Sequence, residues 1–96
     1  MANTTILEKV KLALRISHDE LNDEIEDVIK SARQEMKRAG MNPQKADSDT
    51  ELVETAIKTY ALAYYAPVKE AEKYTESFRY QLDQLRKSYP AGVENV

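Results

Sequence analysis

The sequence has no cysteine and no tryptophan, and His18 is the single histidine among its 96 residues. The absence of cysteine excludes a disulfide framework, a thiolate metal site and a thiol nucleophile. One histidine cannot supply a zinc site by itself, so we expect His18 to be simply exposed, with no metal and no cofactor. We find no glycine-rich phosphate loop and no supported Ser–His–acid arrangement, and we therefore expect no catalytic residues and no enzyme.

Glycine and proline are also scarce, at two and three residues, which is not the composition of a loop-rich or disordered chain. Met1–Leu14 lacks the continuous apolar stretch of a signal peptide, and no apolar run is long enough to span a bilayer, so we expect no membrane association. The net charge is −3 without a basic face, which disfavours a dedicated binder of duplex DNA.

What the sequence does contain is helix-forming residues, with apolar side chains recurring at helical spacing. This pattern predicts helices over about residues 6–15, 18–39, 50–65 and 68–88, with a polar loop at 41–48. The predicted fold class is all-α: a compact bundle of four helices in one domain, residues 1–89, with a short C-terminal tail, 90–96. We expect an antiparallel core formed by Ile25, Val28, Ile29, Val53, Ile57, Phe78, Leu82 and Leu85.

Local signals mark the helix ends. Thr5 with Glu8, and Ser17 with Glu20, are capping boxes, in which each side chain satisfies a free backbone N–H of the other residue. Gly40 suits the left-handed position that closes the second helix. The last helix carries an a/d register over three heptads, formed by Val68, Ala71, Thr75, Phe78, Leu82, Leu85 and Tyr89.

All six tyrosines lie in the second half of the chain. Tyr60, Tyr64 and Tyr89 fall on the apolar stripes, so we expect them in the core. Tyr65 and Tyr80 fall off those stripes. They are candidate interface residues, because tyrosine offers rigid apolar area and one polar group.

The second predicted helix is acidic in its first half and basic in its second. This polarity complements the helix dipole, and a solvated face explains the acidic cluster, which lacks the loop geometry of a calcium site. It would also suit a neighbouring copy packed head-to-tail. With the two tyrosines, the candidate subunit interface comprises Asp19, Asp23, Glu24, Asp27, Arg33, Lys37, Arg38, Tyr65 and Tyr80.

The order of these segments resembles that of small head–tail connector proteins of tailed bacteriophages. The opening LEKVKLALRISHDELNDEIEDVIKSARQEMKRAG is similar to their first two helices, joined by an Asp-rich turn. DTELVETAIKTYALAYYAP is similar to their Ala- and Tyr-rich third helix, and YTESFRYQLDQLRKSY to their final helix. The resemblance covers roughly residues 6–89 and lies in the pattern of helices and apolar positions.

The resemblance implies a structural adaptor of a phage or prophage neck, present in the virion neck and in the host cytoplasm during assembly. Its partners would be the portal protein and the next neck or tail protein. It would form a homo-oligomeric ring, dodecameric in the virion, that extends the DNA channel used in packaging, and DNA would pass without specific binding. Such connectors commonly use a terminal segment to reach a neighbour, so Pro90, Val93 and Val96 form a candidate docking tail.

Two other functions are open at this point. A small cytoplasmic regulatory binding protein, similar to an antitoxin or an anti-repressor, would dimerise through the heptads of the last helix. A helix-turn-helix DNA binder is a third hypothesis, which the charge disfavours. Portal and capsid genes beside this one would favour the connector, and a stable dimer in solution would favour the regulator.

Overall fold

Five α-helices form the part of the chain that the computed structural model describes, residues 5–92. In chain order they are α1 (Ile6–Leu14), α2 (Asn22–Arg38), α3 (Pro43–Ala46), α4 (Glu51–Tyr65) and α5 (Val68–Ser88). No strand occurs within residues 5–92, and the all-α prediction is confirmed. The additional helix, α3, is a single turn in the segment predicted as a loop, where the Asn42 side chain accepts a hydrogen bond from the Lys45 N–H.

The first two helices differ in how well the sequence predicts their starts. The Thr5–Glu8 capping box is confirmed, with both of its hydrogen bonds present. The Ser17–Glu20 box is wrong, because the Glu20 N–H donates instead to Nδ1 of His18 at 3.3 Å. Hydrogen bonds between nearby side chains and the backbone compete with helix formation. As a result α2 starts later than predicted, and no side chain caps it.

The same backbone arrangement ends α1 and α2, but different residues close it. Arg15 and Ile16 donate their N–H groups to the last turn of α1, and Gly40 and Met41 do the same to α2. Arg15 and Gly40 are both left-handed, with φ of 61° and 104°. Glycine adopts this conformation freely, whereas a residue with a side chain pays roughly 1–2 kcal/mol.

The core is centred on α4, which is in contact with α1, α2 and α5. Seven of the eight predicted core residues are buried, and Leu82 is partly buried against them. Met36, Met41 and Val10 are also fully buried. Because three helices cover α4, its buried arc is wider than one sequence stripe.

Two residues predicted to face the core, Tyr64 and Val68, are exposed. For Tyr64 the reason is the wide buried arc of α4, and for Val68 it is the position at the start of α5. Tyr64 is exposed, and Tyr65 packs against the core instead, with the two rings edge to face and their centroids 4.9 Å apart. Val68, the first residue of α5, is 91% exposed. Tyr60 and Tyr89 are partly buried against the core, as predicted.

Candidate functional site

The basic half of α2 is used largely inside the molecule. Arg33 extends over the connection between α3 and α4, where its Nη1 donates to the backbone oxygens of Ala46 at 2.9 Å and Ser48 at 2.6 Å. Its Nη2 donates to Oδ1 of Asp49 at 2.6 Å. The guanidinium suits this task because its donors lie in a fixed planar fork. Arg33 is therefore a clamp on the α3–α4 connection, and these three hydrogen bonds are made within the subunit.

Lys37 is also used inside the molecule, whereas Arg38 is not part of the contact with the α3–α4 connection. Lys37 lies 3.0 Å from Oδ1 of Asp47 and also holds the connection. Among the described residues Arg38 forms an ion pair only with Glu35, one turn earlier on α2, and its side chain is 77% exposed. Lys30 is exposed and makes no ion pair within residues 5–92. The outward basic groups of α2 are thus Lys30 and Arg38.

The acidic side chains in the first half of α2 are exposed to solvent. Asp23, Glu24 and Asp27 are exposed, and none makes an ion pair within the described residues. Asp19 is different, since it lies before α2 and accepts a hydrogen bond from Nζ of the buried Lys11 at 2.8 Å. This bond is the main reason that the pKa of Asp19 lies below its usual value. Asp19 therefore ties α1 to the turn before α2.

The two candidate tyrosines have opposite environments. The Tyr65 hydroxyl is buried without a hydrogen bond of ordinary geometry, and the Glu24 carboxylate lies nearby. Burial, with a contribution from Glu24, raises the pKa of Tyr65 to about 12. Tyr80 is 68% exposed on α5. Of these two tyrosines Tyr80 is the exposed one, and its role at an interface stays a prediction.

The start of the candidate tail is paired with the body. Pro90 forms an antiparallel bridge with Met41, flanked by hydrogen bonds from the Asn42 N–H to the Tyr89 oxygen and from the Ala91 N–H to the Gly40 oxygen. Val93 and Val96, the apolar residues of the predicted docking tail, lie outside the described residues.

Sequence reasoning missed one apolar surface. We call it the α4–α5 groove, a cavity of about 180 Å³ lined by Leu52, Thr55, Tyr80, Gln81, Gln84 and Leu85. Leu52 precedes the buried Val53 in the first turn of α4 and is 56% exposed. Leu52 lies off the buried stripe of α4, and the sequence does not indicate that it lines a groove with residues of α5.

A larger open cavity of about 410 Å³ lies where the end of α1 meets the turn between α4 and α5. Arg15 and Glu70 line it together with apolar residues such as Leu14 and Leu62. Within residues 5–92, no group of three or more histidine or acidic residues is placed to hold a metal ion. None of the helices in this range is both long and apolar enough to cross a membrane.

The outward features of this all-helical domain are carboxylates, an apolar groove and an exposed tyrosine, and tyrosine is a residue type enriched at protein–protein interfaces. The family model described as "Phage connector protein" matches residues 6–89, and the chain belongs to this family. It is therefore a structural component of the phage neck. No curated protein and no solved structure is significantly similar to it.

Proposed function

We propose that this connector is an adaptor that assembles as a homo-oligomeric ring, dodecameric in the virion, beneath the portal protein. In this position it extends the DNA channel during packaging and docks the next neck or tail protein. The observation that carries the proposal is the family match over nearly the whole described chain, together with outward polar surfaces that the fold does not use.

The exposed carboxylates support a role beside passing DNA. Asp23, Glu24 and Asp27 are exposed on the first half of α2, and none of them makes an ion pair within residues 5–92. If this half of α2 faces the channel, like charges repel the phosphate backbone, so DNA slides without binding. No base-specific contact is required.

Head-to-tail association is the arrangement that makes a ring. The exposed acidic half of α2 supplies one charged patch. Lys30 and Arg38 supply basic groups of opposite sign, and we propose them in place of Arg33 and Lys37, whose pairs with Asp49 and Asp47 are internal. The tail beyond the Met41–Pro90 bridge is proposed as the arm that reaches the portal or a neighbour.

The regulatory alternative depends on a free heptad seam in α5. Phe78 and Leu85 are buried and Leu82 is partly buried against the same core. A two-stranded coiled coil needs these positions to face a partner helix. Dimerisation through α5 would therefore require the fold to open, which favours the connector.

The test is assembly of the full chain with the portal protein, imaged by negative stain and weighed by sedimentation. We expect rings with an axial opening, seated on the portal. A stable dimer that ignores the portal would contradict the proposal. Lys30→Glu with Arg38→Glu should weaken assembly, and adding Asp23→Lys and Asp27→Lys should partly restore it. If assembly of the first variant is unchanged, the charges of α2 do not pair between subunits and their polarity only complements the helix dipole.

A further inference from the structure

The α4–α5 groove is shaped for a protein side chain. Its volume of about 180 Å³ is below that of pockets for drug-sized ligands, and none of its six lining residues is charged. Charge depletion around tyrosine is typical of the centre of a protein–protein interface, whereas binding to phosphates needs basic groups. The groove therefore suits an apolar side chain from another protein surface.

Leu12 is such a side chain on another part of the same molecule. It lies on α1 and is 74% exposed, and α1 packs against α4 and α2. The groove lies between α4 and α5. Because Leu12 and the groove are different patches, a contact between them joins two copies head-to-tail and can repeat around a ring.

Charges near the two patches are complementary. Arg15 lies about one turn beyond Leu12, and Glu51 adjoins Leu52 of the groove. Neither Arg15 nor Glu51 makes an ion pair within the described part of the chain. A copy that inserts Leu12 into the groove can therefore bring an unpaired cation to an unpaired carboxylate, which favours a second copy as the occupant.

We propose that Leu12 of one copy occupies the α4–α5 groove of the next and forms a subunit contact of the ring. This inference rests on the proposed function. The exposed apolar side chains Leu12, Leu52 and Tyr80 cover far less than the roughly 800 Å² per partner of a stable interface. The contact therefore persists in a closed ring, where each subunit makes it twice, and not in a free dimer.

The absence of cysteine makes cross-linking a direct test. The full chain carrying Leu12→Cys and Gln84→Cys is assembled on the portal and mildly oxidised; cysteine keeps a small apolar side chain at position 12. We expect a ladder of covalent oligomers extending beyond dimers. The matched control replaces Gln84→Cys by Glu72→Cys, an exposed position on α5 outside the groove, and should give no ladder.

Equal ladders from both pairs would show random collision and overturn the contact. Rings without a ladder from the Leu12–Gln84 pair would overturn the contact and leave the proposed function intact. A protein that forms no ring, alone or on the portal, would overturn the proposed function and the contact together.

A charge exchange tests the predicted orientation on the same cross-linked pair. Arg15→Glu places two carboxylates together and should lower the ladder yield by about tenfold or more. Adding Glu51→Arg to the same chain should restore the yield. A yield that stays low in the restored variant, with unchanged thermal unfolding, would overturn the pairing of Arg15 with Glu51.

Discussion

The two halves of α2 carry opposite charges and use them differently. In the second half, Arg33 and Lys37 pair with Asp49 and Asp47 and hold the α3–α4 connection. In the first half, Asp23, Glu24 and Asp27 face outward without ion pairs within residues 5–92. Charges on one helix thus serve the fold at one end and leave an exposed charged surface at the other.

The buried apolar face of α2 runs through both halves of the helix. Truncating a side chain on this face should have the largest effect on stability. Ile25 is fully buried in the acidic half. Ile25→Ala should lower the free energy of unfolding by about 2–5 kcal/mol, because it removes apolar contacts and leaves a cavity. Urea denaturation measures this, with the exposed Glu26→Ala as the control, expected within about 0.5 kcal/mol. Equal losses in both variants would contradict the assigned burial.

Removal of the Arg33 clamp should come next. Arg33→Met keeps the aliphatic stem but leaves the Ala46 and Ser48 oxygens without their donor, so we expect a loss of about 2–3 kcal/mol in unfolding free energy. The matched control is Lys30→Met, on the same helix but at a lysine that makes no ion pair with the part of the chain that the structure describes. If both variants unfold at the same denaturant concentration, Arg33 does not stabilise the connection and its charge is available to a partner.

The Lys37–Asp47 pair should have a smaller effect because both side chains are partly exposed. A double-mutant cycle with Lys37→Met and Asp47→Asn should give a coupling energy of about 0.2–1 kcal/mol. The coupling should decrease when salt is raised, since exposed charges are screened. A coupling near zero at low salt would mean that Arg33 alone holds the connection.

The smallest effect is expected at Asp19, and it should depend on pH. Its folded-state pKa lies below the usual value because Lys11 donates to the carboxylate. Its contribution is therefore present above the unfolded pKa and lost as pH falls through the folded pKa. Thermal unfolding below about pH 4 should show a slightly steeper acid loss for the native sequence than for Asp19→Asn. Parallel acid limbs would indicate that the Lys11–Asp19 pair does not affect folding.

Periodicity and capping chemistry predict much of the fold, because a helix with one buried stripe records that stripe in its sequence. The bounds of α5 and the Thr5–Glu8 cap follow from such local signals. The late start of α2 does not, since His18 takes the N–H that the Ser17–Glu20 box would use. Tyr64 and Tyr65 are exchanged because α4 is covered by three helices, which no single stripe describes.

The candidate site is predicted less well for a related reason. The sequence shows the sign of each charged residue, but it does not show which residue lies next to it in the folded protein. Arg33 and Arg38 are both basic residues in the second half of α2, yet Arg33 clamps the α3–α4 connection while the side chain of Arg38 is 77% exposed. Leu52 lies beside a core residue, and only the packing of α5 makes it a wall of the groove.

The bridge between Met41 and Pro90 has a mechanical consequence. A force applied to the chain beyond Gly92 loads the two hydrogen bonds that join residues 40–42 to 89–91 before it reaches the last turn of α5. These bonds transmit that force to the residues that follow α2, where Gly40 closes the helix. A pull on this end of the chain would therefore be divided between two helices instead of peeling α5 from its end.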